Sequence, residues 1–340
     1  MKKINLALIG YGYWGPNIAR VLSELEDCEL KYCVDLVEKN LKRVSDKYPK
    51  IITLNNYQPV LEDKEVDAVF IVTPTKTHYQ IAKDCLNANK HVFIEKPIAY
   101  LVSQAKELVD IAKKNNLKLM VGHIFLFNPA VRKIKEIIEK GEIGNIRHLN
   151  FQRRNLGPIR SDVNVMWDLA PHDVSMLLYF LGNIKVSSVQ AAGSAFLRPN
   201  LQDVVFMNIK FPTNIIANFL LSWLDPIKIR DITIVGDKKM IFFNDVIPTE
   251  KIKIFNKNAD ILEKTQDVSY KEWKIALRSG EIDVPEIKQT EPLKEEISHF
   301  LNCIKEDKLP FTDGENGLKV VEILEAAQKS LENNSKLINL

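Results

Sequence analysis

The sequence predicts an α/β protein: an N-terminal, doubly wound domain with a parallel sheet, then an α+β domain with a large, mostly antiparallel open sheet. Two observations predict it. From Ile4 to about Gly122, short β-branched runs alternate with amphipathic segments, the pattern of successive βαβ units. Between Val186 and Phe255 period-2 stretches predominate instead, as in strands with one buried face. A chain of 340 residues exceeds one ordinary core, so domains at 1–122 and 123–340 are expected.

In the first half the strand candidates are Ile4 to Ile9, Glu29 to Val34, Ile51 to Leu54, Ala68 to Val72, His91 to Ile94 and Lys118 to Val121. Several are apolar on both faces, as buried parallel strands are. Helical stretches run from Asn17 to Glu26, Val37 to Lys47, His78 to Asn89 and Ser103 to Asn115. Beyond Gly122 come a helix over Pro129 to Lys140, ended by Gly141, and a long strand over Asn145 to Asn155. Further strands are expected at Asp203 to Phe211, Ile215 to Leu224 and Asp231 to Val235, with a turn at Gly236-Asp237. Helices return at Pro292 to Lys305 and Gly314 to Glu332.

Gly10-Tyr11-Gly12-Tyr13-Trp14-Gly15 follows the first strand directly and opens a helix at Pro16. The spacing gives Gly10 to the tight turn, Gly12 to close approach of a pyrophosphate and Gly15 to helix–strand packing. Asp35 ends the second strand about 20 residues on, where a carboxylate can accept hydrogen bonds from both adenosine ribose hydroxyls. A carboxylate there repels a 2′-phosphate, so NAD is preferred over NADP; Asp35 could alternatively cap the next helix. Thr73-Pro74-Thr75-Lys76-Thr77-His78 lies at another strand's carboxyl end and suits a loop along the cofactor, although Thr77 could equally be the N-cap of the helix near His78. Glu95-Lys96-Pro97 closes the strand at His91 to Ile94, where ligands of open α/β sheets bind.

In the second half the densest polar segment is Arg153-Arg154-Asn155-Leu156-Gly157-Pro158-Ile159-Arg160, followed by Trp167-Asp168-Leu169-Ala170-Pro171-His172-Asp173. Asp168 and His172 are four apart and share a helix face, where a carboxylate can orient an imidazole; the alternative is a cap and a partly buried histidine. Pro171 fits if it lies in the first helical turn, which starts the helix near Trp167 and buries Val174, Leu177, Leu178 and Leu181. Arg153 and Asn155 share a strand face and Arg160 lies in the next loop, which suggests an anionic substrate such as a diphosphate or carboxylate.

Several classes are disfavoured. The net charge of +3 is close to balanced, which gives nucleic acid binding no support. Six histidines show no metal-ligand spacing, and no metal is expected. Neither a G-x-S-x-G elbow nor a P-loop is present. The apolar run at Ile4 to Ile9 ends in the glycine loop rather than a cleavage site, and the stretches Ser175 to Leu181 and Ile215 to Leu224 are too short to span a bilayer. Cys28, Cys33, Cys85 and Cys303 form no C-x-x-C pair and read as reduced core residues of a cytoplasmic protein.

Taken together, Gly10-x-Gly12-x-x-Gly15, Glu95-Lys96-Pro97 and Asp168-x-x-x-His172 resemble the signature of the glucose-fructose oxidoreductase, inositol dehydrogenase and rhizopine catabolism (Gfo/Idh/MocA) family. The stretch from Val121 to Lys133, with Asn155-Leu156-Gly157 and Asp162 to Asp173, is similar to its sugar-nucleotide branch, that of UDP-N-acetylglucosamine or UDP-N-acetylglucosaminuronate 3-dehydrogenases. The resemblance implies a Rossmann domain, an open sheet that mediates homodimers or homotetramers, C-terminal helices that can pack back on the first domain, and a carbohydrate or sugar-nucleotide substrate. It implies cofactor contacts from Gly10, Gly12, Tyr13, Trp14, Gly15, Asp35, Thr73, Pro74, Thr75, His78, Glu95 and Lys96. Substrate contacts are implied for Lys96, His123, Asn128, Arg153, Asn155, Arg160, Asp168 and His172.

Hydride leaves a secondary alcohol only as its hydroxyl proton leaves, so a base must reach that oxygen. His172, with an ordinary pKa of about 6.5, is the better base at neutral pH; Lys96 polarises the oxygen, and Asp168 holds His172 and a sugar hydroxyl. Alternatives are a ketosugar reductase, an inositol dehydrogenase, an NAD-recycling glycosidase and, from another class, a non-catalytic dinucleotide sensor.

Overall fold

The computed structural model describes residues 3–182, 184–264 and 273–340. They divide into two units: Met1–Asn128 with Thr290–Glu325, and Pro129–Gln289 with Ala326–Leu340.

The first unit begins with β1 (Ile4–Ile9), α1 (Gly15–Glu24), β2 (Cys28–Val34), α2 (Glu38–Lys47), β3 (Ile52–Leu54) and α3 (Gln58–Glu62). It continues with β4 (Ala68–Ile71), α4 (Thr75–Asn87), β5 (His91–Glu95), α5 (Val102–Lys114), β6 (Leu119–Gly122) and a 3-10 turn at Ile124–Phe127. The strands pair in parallel in the order β3-β2-β1-β4-β5-β6. Strand order reverses between β1 and β4, so the loops after β1, β4 and β5 border the crevice where such sheets bind ligands. The helix α3 and the 3-10 turn, too short for a periodic signal, are additions to the sequence reading.

The second unit holds α6 (Pro129–Glu139), β7 (Ile146–Leu156), α7 (Val165–Leu181), β8 (Ser188–Ser194), β9 (Val204–Lys210), β10 (Ile216–Ser222), β11 (Leu224–Gly236), β12 (Met240–Asn244), β13 (Ile252–Lys264) and β14 (Trp273–Asp283). After α8 (Pro292–Lys305) and α9 (Gly314–Glu332), β15 (Ile338–Asn339) closes the chain. The second sheet runs β14-β13-β12-β11-β7-β10-β9-β8-β15, parallel at β7–β10 and antiparallel at the other pairs. The fold is therefore the expected α/β pairing of a Rossmann-like sheet with a mostly antiparallel one.

The core of the first unit is closed by α8. Phe70 and Phe93 stack at 4.9 Å, and Phe300 meets them edge-on at 5.5 and 5.8 Å. Thr312 then exchanges two bonds with Val121: its Oγ1 donates to the Val121 carbonyl at 2.7 Å, and its carbonyl accepts the Val121 N–H at 2.8 Å.

Two expectations about helix starts need correction. The helix α7 begins at Val165, with Asn164 as its N-cap, so Pro171 lies inside it rather than in its first turn. Burial of the surrounding face, with Ala170, Val174 and Leu177 fully covered, outweighs the amide bond that proline removes, while Leu178 and Leu181 are only half-buried. Similarly, α4 starts at Thr75 after Pro74, which moves Thr77 out of the cap position; its hydroxyl instead donates to the Pro74 carbonyl at 2.8 Å.

Candidate functional site

The glycine loop is shaped by contacts that exclude side chains. Gly10 has φ +103°, and a Cβ there would lie 2.5 Å from the Val72 carbonyl oxygen. A Cβ on Gly15 would lie 2.4 Å from the Gly10 carbonyl, which locks the loop against the start of α1. By contrast, a Cβ at Gly12 would meet no protein atom within 4 Å. The loop leads into a helix whose N-terminus has no side-chain cap and no acidic first-turn residue. An uncapped, positive dipole end suits a pyrophosphate. Tyr13 is almost fully exposed beside it, and Trp14 is half-buried.

Asp35 is half-buried at the end of β2. One oxygen accepts the Tyr11 N–H at 2.6 Å, the other accepts the Val37 N–H at 2.8 Å and the Asn40 amide at 3.2 Å. It thus ties the glycine loop to β2 and does not cap α2, whose N-cap Val37 has no side-chain bond. The oxygen bound only by the Tyr11 N–H keeps acceptor capacity for a ribose hydroxyl. Thr73 is half-buried and Pro74 exposed, whereas Thr75 is buried in the first turn of α4. These residues fit NAD, which the cradle from Gly10 to Gly15, Asp35 and the Thr73-Pro74 loop would hold.

One expected cofactor contact turns inward. His78 is 1 % exposed, and its two ring nitrogens lie 2.8 Å from the carbonyl oxygens of Pro97 and Thr73. Both nitrogens of the ring are engaged with main-chain carbonyls inside the first unit.

Behind Lys96 the first unit concentrates buried titratable groups. Glu95 accepts the Trp14 indole N–H and the Lys96 backbone N–H, and burial, opposed by the Lys96 charge, leaves its carboxyl pushed up to about 7. Glu296 of α8 is completely buried, neither oxygen has a hydrogen-bond partner among the described residues, and desolvation followed by repulsion from Glu95 raises its carboxyl well above the ordinary range. His123, expected to touch substrate, is fully buried; burial and then the Lys96 charge push it down to about 3, so it is a neutral core histidine. Asn128 is half-buried just before α6. A separate groove lined by Lys3, Asp67, Lys90 and His91 lies at the amino ends of β1, β4 and β5, the opposite end of the sheet from these loops.

In the second unit α7 carries Asp168 and His172 one turn apart, both half-buried. Asp168 accepts the Trp223 indole N–H at 3.2 Å on one oxygen and Arg160 Nη1 at 3.2 Å on the other. Arg160 is itself forked onto Asp162 at 2.9 and 2.6 Å. The N-terminus of α7 is fixed by Asn164, whose Oδ1 accepts the Trp167 N–H at 3.1 Å and whose amide donates to Gln202 and Gln328, both at 3.0 Å. Asn155 is half-buried near the end of β7.

Arg153 corrects the reading of a substrate-facing arginine. It is 4 % exposed and pairs with Asp173 of α7 through contacts of 2.7, 3.0 and 3.1 Å. The strand face expected to meet substrate packs against the helix, and the arginine joins the two. Sequence reasoning missed Trp223, Gln328 and Glu296. Trp223 and Gln328 left no local signal, but Glu296 sits on the apolar stripe of Leu293, Ile297 and Phe300, where a carboxylate is out of place.

Among the described residues no cluster could hold a metal ion, and no helix is long and apolar enough to cross a membrane.

Two family models match the chain. The oxidoreductase family's NAD-binding Rossmann fold covers residues 4–123, and the GFO/IDH/MocA C-terminal domain covers residues 131–242. The UDP-N-acetylglucosamine 3-dehydrogenase of Acidithiobacillus ferrooxidans is 28% identical over 265 residues, 76% of this chain and 76% of that protein. The myo-inositol 2-dehydrogenase of Thermotoga maritima is 25% identical over 352 residues, 97% of this chain and 96% of that protein. The WlbA dehydrogenase of Bordetella pertussis, solved in complex with NADH and UDP-GlcNAcA, has the same fold, with a TM-score of 0.81 at 22% identity over 100% of this chain and 99% of that one. A glycine cradle at the switch point of the first sheet, Glu95-Lys96-Pro97 beside it and both family domains in order make this chain an NAD-dependent oxidoreductase of the Gfo/Idh/MocA family.

Proposed function

We propose that the protein transfers hydride from a secondary hydroxyl of a sugar or sugar nucleotide to NAD, with UDP-N-acetylglucosamine or its uronate, oxidised at C3, as the leading substrate. The observation that supports this most is α7, which presents His172 one turn from an Asp168 carboxylate already fixed by Trp223 and Arg160. NAD supplies the hydride acceptor. His172 takes the hydroxyl proton, Asp168 orients the ring and a neighbouring sugar hydroxyl, and Lys96 polarises the reacting oxygen. Arg160, forked onto Asp162, helps to fix Asp168. Similarity to the Acidithiobacillus enzyme supports the sugar nucleotide; similarity to the Thermotoga enzyme over nearly the whole chain favours an inositol as the second reading.

Incubation with NAD and each of UDP-N-acetylglucosamine, its uronate and myo-inositol, followed by NADH absorbance, decides between them. Lys96→Ala and His172→Ala should each lower kcat by about 100-fold or more. Turnover at the wild-type rate in both variants would remove these residues from the chemistry, and no NADH with any of the three would remove the substrate assignment. NADH that fails to accumulate while a glycoside is cleaved would point to the recycling reaction instead.

The outward face of the second sheet supports self-association. Phe206 and Ile216 are 51 % and 48 % exposed, and Phe206 stands opposite Leu220 across β9 and β10. Phe206→Glu should then reduce the sedimentation coefficient of the native protein. Four buried, unpaired thiols, three of them pushed up to between about 11 and about 12 by burial, fit a reducing cytoplasm.

A further inference from the structure

His78 occupies the first turns of α4, with one ring nitrogen 2.8 Å from the Pro97 carbonyl oxygen and the other 2.8 Å from the Thr73 carbonyl oxygen. Both neighbours are acceptors with no proton to give. A neutral imidazole has a single N–H, so it can satisfy one carbonyl while aiming a lone pair at the other. An imidazolium donates to both, and 2.8 Å is the length expected of such charge-assisted bonds. The ring is 1 % exposed, so water cannot replace either partner without opening the site.

The charged groups closest in the chain to this contact are Lys76, Lys96 and Glu95. The two lysines and the amino end of α4 oppose another cation, and Glu95 favours it. Burial opposes the charged form as well, and the two carbonyl dipoles aimed at the ring nitrogens favour it. The two carbonyls also belong to the segments that matter: Thr73 ends the loop after β4, and Pro97 directly follows Lys96.

We propose that His78 is a positioning residue, held doubly protonated, whose two N–H groups clamp the Thr73 loop to Pro97 and thereby fix the backbone that carries Lys96. Its kinetic consequence rests on the role proposed for Lys96; its charge state does not.

The first test is side-chain 15N–1H correlation of histidine-labelled native protein at neutral pH, with the His78 signals assigned by their loss in His78→Gln. Protons on both ring nitrogens support the clamp. One unprotonated ring nitrogen overturns it, whether or not any sugar proves to be a substrate. The second test is kinetic. His78→Gln should lower kcat by about 10- to 100-fold, because small misplacements of a reacting group cost that much. The same substitution in a Lys96→Ala background should cost nothing further, since residues acting through one another are not additive. An equal loss in both backgrounds would show that His78 does not act through Lys96. If His78→Gln fails to fold, His78→Asn takes its place for assignment and kinetics.

Discussion

At the scale of single residues, the buried groups behind Lys96 give the first unit opposing pH dependences. Glu296 and Glu95 have carboxyls raised by desolvation, so the native state binds their protons more tightly than the unfolded chain does. Their contribution is therefore full below the ordinary value of 4.5 and is lost as pH rises, for Glu95 through about 7. Glu296→Gln should flatten the fall in Tm between about pH 5 and about pH 8 relative to wild type, as followed by circular dichroism. His123 has the reverse sign: the unfolded chain binds its proton more tightly, so stability is lost as pH falls from 6.5 toward about 3. His123→Phe should remove that part of the acid sensitivity. The Arg153–Asp173 pair predicts a larger effect. Asp173→Ala leaves a guanidinium buried without its carboxylate and should cost about 3–5 kcal/mol in urea unfolding.

At the scale of elements, α7 is held at its N-terminus by one side chain with three partners. Asn164→Ala removes the cap and the bonds to Gln202 and Gln328, and should cost about 1–2 kcal/mol in urea unfolding. Because the same helix carries Asp168 and His172, kcat should fall in this variant more than substrate KM rises. The β1–α1 loop responds differently. Gly10→Ala combines a positive φ with a 2.5 Å approach to Val72, so calorimetric titration with NADH should show weakened binding in that variant.

For the whole molecule, the first unit is discontinuous in sequence, and this has a physical cost when the chain is cut. A fragment of residues 1–128 lacks Phe300, which meets the Phe70–Phe93 stack, and Thr312, which pairs with Val121. It should bind an apolar dye and lose cooperative unfolding, whereas the full chain should not. NADH at 100 times its Kd should in turn stabilise the full chain by about 2.7 kcal/mol, a shift that calorimetry reads directly.

What the sequence by itself determined was whatever depends on neighbours along the chain. Strand and helix periods, the glycine turn after β1, the carboxylate of Asp35 and the bounds of α8 and α9 all follow from spacing, propensity and turn chemistry. The proposed site rests on the same kind of signal: its glycine loop, Lys96 and the Asp168–His172 spacing are local motifs. Only the tertiary structure decided which polar residues face inward. Arg153 meets Asp173 from 20 residues away, Trp223 reaches Asp168 across 55, and Thr312 finds Val121 across 191. His78 reads locally as a helix start near the cofactor loop, and only the fold brings it the Pro97 carbonyl, 19 residues on, as a second acceptor. Burial removes water as an alternative partner, so a side chain's role there is set by whichever donor or acceptor the fold brings to it, and no local pattern records that choice.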